Sequence, residues 1–208
     1  MHILLAHGSS NAQHGQQVRA LADKVSVLIG EEVGVAFLGD KGLPTGATVL
    51  PLFLGAGKHA TEDIPKLVAA SNCTLLPSLN ASSQQLAAMS YDQLTRESKR
   101  INVLFALYRF AGFESLVAAI HNMNIRCSKV AMASLHSEPS VESVLQLWHQ
   151  DGIKQVTVQP MLLFAGRSLA RVQTMIEASP MTNISLAPVL SEHPDFAAFI
   201  AGCLRQDS

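Results

Sequence analysis

Leu50-Pro-Leu-Phe-Leu-Gly-Ala-Gly-Lys58 reads like Gln159-Pro-Met-Leu-Leu-Phe-Ala-Gly-Arg167, 109 positions further on. Apolar runs alone would not make this pair meaningful, because buried parallel strands of any α/β protein resemble one another. The matching proline and glycine positions do. Three more pairs follow in the same order. Ile3-Leu-Leu-Ala6 matches Val103-Leu-Phe-Ala106 at an offset of 100, and Gly34-Val-Ala-Phe-Leu38 matches Ala131-Met-Ala-Ser-Leu135 at 97. Leu76-Pro-Ser-Leu79 matches Ala187-Pro-Val-Leu190 at 111. Four elements recurring in order mark an internal duplication. The boundary it suggests separates a lobe over 1–98 from a lobe over 99–208.

Branched apolar runs predict strands over 2–6, 33–38, 48–54, 73–76, 101–107, 129–134, 155–162 and 184–187. Helical stripes lie between most of them. Val18, Leu21, Ala22, Val25 and Leu28 form one stripe, and Val141, Val144, Leu145 and Trp148 another. Alternating strands and helices predict α/β layers built on mostly parallel sheets. The jump in offset from 97 to 109 adds about a dozen residues, 139–151, between the second and third strands of the second half. The first half has only Gly39 to Ala47 there, so it is expected to lack one crossover helix. A sheet face without its helix would expose apolar surface. That reasoning predicts a symmetric homodimer covering the 40–47 connection.

Composition excludes several classes. Of 208 residues, 48% are hydrophobic and 15% charged, which is incompatible with a disordered chain. A net charge of -1 offers no general pull toward nucleic acid or an anionic membrane. Cys73, Cys127 and Cys203 stand apart with no paired spacing, as reduced thiols in a cytoplasmic protein would. No apolar run reaches the roughly 20 residues that span a bilayer, and the chain opens on a strand-like segment rather than a secretion signal.

Histidine is the residue type that suggests chemistry. His14, His121 and His149 fall on predicted helices, His193 precedes Pro194 at a helix start, His2 is terminal, and His136 sits in a turn after a strand. These read as surface, capping or turn residues. His7, in Ala6-His-Gly-Ser-Ser10, and His59, in Gly55-Ala-Gly-Lys-His-Ala-Thr-Glu-Asp-Ile-Pro65, differ. Both follow strands at their carboxyl ends, where open α/β sheets place ligands. Asp63 or Thr61 is the expected cap of the helix that Pro65 opens. Two neutral imidazoles on adjacent loops can hold a divalent ion or take up protons. At offsets of 100 and 109 their counterparts in the second half are Leu107 and Ser168, which can do neither.

Ala6-His-Gly-Ser9, Ala36-Phe-Leu38, Pro51-Leu-Phe-Leu-Gly-Ala-Gly-Lys-His59 and Asp63-Ile-Pro65 together resemble the CbiX/SirB family of sirohydrochlorin chelatases. The resemblance implies a chelatase-like fold of two pseudo-symmetric lobes, each a mostly parallel sheet flanked by helices. It implies a lyase that inserts Fe²⁺ or Co²⁺ into the tetrapyrrole sirohydrochlorin, toward siroheme or cobalamin. The metal is then a substrate, with no permanent cofactor. The family's catalytic, metal-binding histidines map onto His7 and His59. Substrate contacts are expected from Gly8, Ser9, Ser10, Asp40, Gly57 and Lys58, with Arg109, Arg167 and Arg171 as further carboxylate partners. Where the family often carries Glu after Ala-Phe-Leu, this chain has Gly39, then Asp40, a shorter acid one residue displaced. Gly39 motivates an alternative, a homologue without catalysis that binds or senses tetrapyrrole or metal. A hydrolase using Ser9 or Ser10 with His7 lacks the nucleophile-elbow pattern.

Overall fold

A computed structural model describes residues 1–8, 12–40, 42–95, 101–124 and 127–205. The chain divides into two compact units, Met1–Ser83 with Pro194–Ser208, and Gln84–His193. This differs from a single cut at 98/99. The helix that ends the first half, α3 (Ser83–Thr95), belongs from Gln84 onward to the second unit. The helix that ends the chain, α7 (Phe196–Arg205), belongs to the first. Repeats in sequence and packing units therefore coincide except for these terminal helices.

In the first unit β1 (His2–Ala6), β2 (Val33–Phe37), β3 (Thr48–Pro51) and β4 (Thr74–Leu75) form a sheet ordered β2-β1-β3-β4. In the second, β5 (Asn102–Leu107), β6 (Lys129–Ser134), β7 (Val156–Pro160) and β8 (Ile184–Leu186) repeat that order as β6-β5-β7-β8. Every pairing is parallel. The central strands are the most apolar because both their faces are covered: Leu4, Leu5, Leu104 and Phe105 are fully buried. Each such side chain contributes about 1.5–3 kcal/mol relative to exposure.

Helices cover these sheets. In α1 (Ala12–Ile29) the buried residues are Val18, Leu21, Ala22 and Val25. Leu28, expected on the same stripe, is 45% exposed, since it lies in the last turn beyond the core. Its carbonyl instead accepts a hydrogen bond from Arg205 of α7 at 2.6 Å. In α5 (Val141–Gln150) the whole expected stripe, Val141, Val144, Leu145 and Trp148, is buried. Ser140 caps this helix by accepting from the Ser143 N–H. The other helices are α2 (Ile64–Ala70), α4 (Glu114–Asn122) and α6 (Arg167–Glu177).

Between β2 and β3 the described residues contain no helix, as the shortened connection predicts. The face it would have covered is nonetheless not bare. Leu43, from the connection itself, packs with Ile3, Leu5, Ala36, Val49, Ile64 and Val68 in one core cluster. None of the large apolar residues exposed at the surface falls within 36–54. A short extended segment plus α2 does the work of the missing helix. This face therefore presents no bare apolar surface that a second copy would have to cover.

The hydrogen-bond ladders fix how the halves correspond. Leu52 N–H donates to Leu5 O at 2.8 Å, and Met161 N–H to Ala106 O at 2.8 Å. Leu38 N–H donates to Ala6 O, and Leu135 N–H to Leu107 O. Both pairs align Leu5 with Ala106 and Ala6 with Leu107, one residue beyond the offset of 100 read from the apolar runs. The counterpart of His7 is therefore Tyr108, not Leu107. Leu107 is fully buried in β5, where no functional residue of the first half stands. An apolar run has no internal landmark to mark such a slip, whereas the prolines and glycines of β3 and β7 do.

Candidate active site

His7 leaves β1 at its carboxyl end, and Gly8 makes the turn that follows. A Cβ on Gly8 would stand 2.8 Å from the Leu38 carbonyl, closer than a real contact allows. Glycine here lets the β1 loop lie against the end of β2. His59 begins a single π-helical turn, His59–Asp63, which runs directly into α2. Ile64 N–H closes that turn on the His59 carbonyl. Such wide turns recur at functional sites because they re-aim side chains that an α-helix would fan apart.

The two imidazoles meet edge to face, ring centroids 5.1 Å apart and planes at 76°. Two imidazoles sharing one ion at about 2.1 Å have centroids roughly 4.6–5.3 Å apart, for ligand angles from square to tetrahedral. The observed spacing fits that range. Hydrogen bonding adds the second requirement. His7 Nδ1 donates to the Gly8 carbonyl at 2.7 Å, and His59 Nδ1 donates to the Asp63 carboxylate at 2.6 Å. With each Nδ1 carrying a proton, each neutral ring keeps its electron pair on Nε2. The expected caps are spent elsewhere: Asp63 on His59, and Thr61 Oγ1–H on the Gly57 carbonyl.

A cavity of about 340 Å³ is lined by His7, His59, Asp63, Leu38, Leu67, Gly39 and Asp40. It collects both histidines and Asp40 from the expected set. Asp40 turns one carboxylate oxygen back to accept the Phe37 N–H at 2.8 Å, which limits its reach toward the histidines. Gly39 has φ +105°, a conformation that side-chain-bearing residues rarely adopt. The backbone itself thus favours glycine where the family often has Glu. Among the described residues no group of three or more His, Cys, Asp or Glu side chains gathers to hold a metal. Gly8, Gly57 and Lys58 do not line the cavity; Lys58 is exposed just before the π-turn. Ser9 and Ser10 lie outside the described residues.

Sequence reasoning missed Asp63 as a histidine partner, and it missed His14. His14 Nε2 donates to the His7 carbonyl at 3.1 Å, and burial holds its imidazole below the usual 6.5. Asp63 lies four after His59 within the same turn, which was the available signal; His14, inside α1 while His7 precedes it, left none. His193, expected near the surface, is buried and contacts the Asp92 carboxylate at 3.3 Å.

A CbiX family model matches residues 2–108 and again residues 110–206. The chain belongs to the CbiX family. One match per half also accounts for the internal repeat. The CbiX fold is shared with two solved structures. One is CbiX, described as the terminal enzyme for biosynthesis of siroheme in denitrifying bacteria, at TM-score 0.75 and 18% identity, with 99% of this chain and 98% of that one covered. The other is SirB from Bacillus subtilis with Fe³⁺, at TM-score 0.74 and 17% identity, with 98% and 93% covered. At these identities the likeness establishes the fold. No curated protein matches the chain. No helix among the described residues is long and apolar enough to cross a membrane.

Proposed function

We propose that this CbiX family member is a sirohydrochlorin chelatase that inserts Fe²⁺ or Co²⁺ into the macrocycle, with His7 and His59 as its working groups. The observation that carries the reading is the histidine pair at 5.1 Å with both Nδ1 atoms engaged as donors. Insertion forms bonds from the metal to the pyrrole nitrogens and releases two pyrrole N–H protons. An imidazole Nε2 can ligate the incoming ion or accept one of those protons, and neutral imidazole is a base of suitable strength near pH 7. Two ligands leave most of the ion's coordination positions to water or incoming nitrogens. A site built to pass a metal on needs that openness, whereas a closed four-ligand site retains its ion.

The test is anaerobic incubation with sirohydrochlorin and each metal, following absorbance. A protein-dependent rate above the spontaneous one is expected for at least one of Fe²⁺ and Co²⁺. Gly39 is the observation that favours the second reading, a homologue that binds tetrapyrrole or metal without turnover. Tight sirohydrochlorin binding with no rate above background would select it.

A further inference from the structure

Tyr108 stands where the first unit has His7, and by the same ladders His136 stands where it has Gly39. The α6 hydrogen bonds match those of the His59 turn, Ala170 N–H to Gly166 O answering Thr61 N–H to Gly57 O. That correspondence places Arg171 where the first unit has Glu62, Val172 where it has Asp63, and Ser137 where it has Asp40. Arg109 replaces Gly8. At these positions three carboxylates disappear and two guanidiniums arrive, while one acid, Glu138, enters next to Ser137.

These residues are built together. The Tyr108 and His136 rings meet edge to face at 4.6 Å, close to the spacing of the histidine pair in the first unit. Arg109 lies over the Tyr108 ring at 5.5 Å. Buried Ser134 ties the two loops: its Oγ–H donates to the Tyr108 carbonyl and its oxygen accepts the N–H groups of His136 and Ser137. Among the described residues neither Arg109 nor Arg171 makes an ion pair. The neighbouring acid Glu138 is committed to Ser140 and Ser143. Desolvation by its neighbours, and then the Arg171 and Arg109 charges, hold the exposed His136 imidazole below its usual value. Both guanidiniums act on this one imidazole, and the mutual repulsion of like charges is relieved when an anion binds among them.

We propose that Arg109 and Arg171, floored by the Tyr108–His136 pair, form a carboxylate-binding site in the second unit, at the place that mirrors the histidine pair of the first. Guanidinium suits this task because its planar fork matches a carboxylate with two parallel hydrogen bonds. Resting on the function proposed above, the ligand is a carboxylate side chain of the tetrapyrrole substrate.

The experiment has two arms. In the first, metal-free sirohydrochlorin is titrated into the protein and followed by absorbance. R109Q/R171Q is expected to weaken binding at least tenfold, while K129Q, which removes a positive charge at the opposite end of β6, leaves it unchanged. In the second, citrate is titrated while the His136 C2–H signal is followed by NMR. The signal is expected to move in the parent protein and to stay fixed in R109Q/R171Q. Parent-like sirohydrochlorin binding by R109Q/R171Q, or a His136 signal indifferent to citrate, overturns the site. A parent protein that ignores sirohydrochlorin yet answers citrate through His136 overturns the chelatase reading and leaves the carboxylate site standing.

Discussion

His59 Nδ1 lies 2.6 Å from Asp63 Oδ2, one turn along the chain. A carboxylate so placed fixes the ring's tautomer and rotation. Asp63→Ala is expected to lower affinity for Co²⁺ by about 10–100-fold, and Asp63→Asn to recover part of it, because the amide oxygen still accepts from Nδ1. Spectroscopic Co²⁺ titration checks this. Equal affinity in all three proteins would show that Asp63 does not orient the ring.

His7→Ala or His59→Ala should each abolish catalysed insertion and leave the circular dichroism spectrum unchanged, since both side chains are exposed. His149→Ala, on an exposed position of α5, should keep the parent rate. Full rates in the His7 and His59 variants would sink the mechanism.

Gly39→Glu restores the acid that the family often carries, but at φ +105°. A Cβ there meets nothing within 4 Å, so the expense is backbone strain alone. Urea denaturation should show a loss of about 1–3 kcal/mol. No loss would mean that the turn readily adopts another conformation.

Leu43 is the connection's contribution to the first unit's core, 9% exposed. Leu43→Ala should destabilise by about 2–5 kcal/mol, as a core truncation does. A change below 0.5 kcal/mol would be the surface-residue result and would return the question of what covers that face.

The depressed His136 value has a sign that can be measured. Its imidazole titrates below 6.5 when folded, so the unfolded chain takes up the proton first as pH falls. The neutral ring's contribution is therefore fully present above about pH 6.5 and is lost as pH drops through the lower folded value. Arg171, Arg109 and Tyr108 are the groups facing it. Between pH 7 and pH 5, His136→Gln should lose less stability in urea melts than the parent. His14, depressed by burial, keeps its own share of that slope in both proteins. Identical slopes would remove His136 from the account.

Much of this was legible in the chain. The eight strands of the described residues, the absent crossover helix and the buried stripe of α5 followed from apolar runs and offset, most plainly in central β1 and β5, where burial on both faces leaves almost only apolar residues. His7 and His59 stood out because strand ends carry ligands. What stayed hidden was whatever depends on direction. A run such as Ile3-Leu-Leu-Ala6 fits its copy equally well one residue over, so Tyr108 was passed by in favour of Leu107. Asp63 read as a cap because a carboxylate at a helix start is usually one. That Leu43 turns inward from a Gly- and Pro-rich connection has no periodic signature.

The exchange of terminal helices bears on how the molecule is made. The first unit includes α7, whose Arg205 bonds to the end of α1, yet the whole second unit is translated between them. Domains usually fold in order as they leave the ribosome. Here the unit begun first is completed last, after a neighbour that already has every residue it needs. A chain truncated after residue 193 would therefore hold every residue of the second unit, and a first unit whose α1 lacks its packing helix.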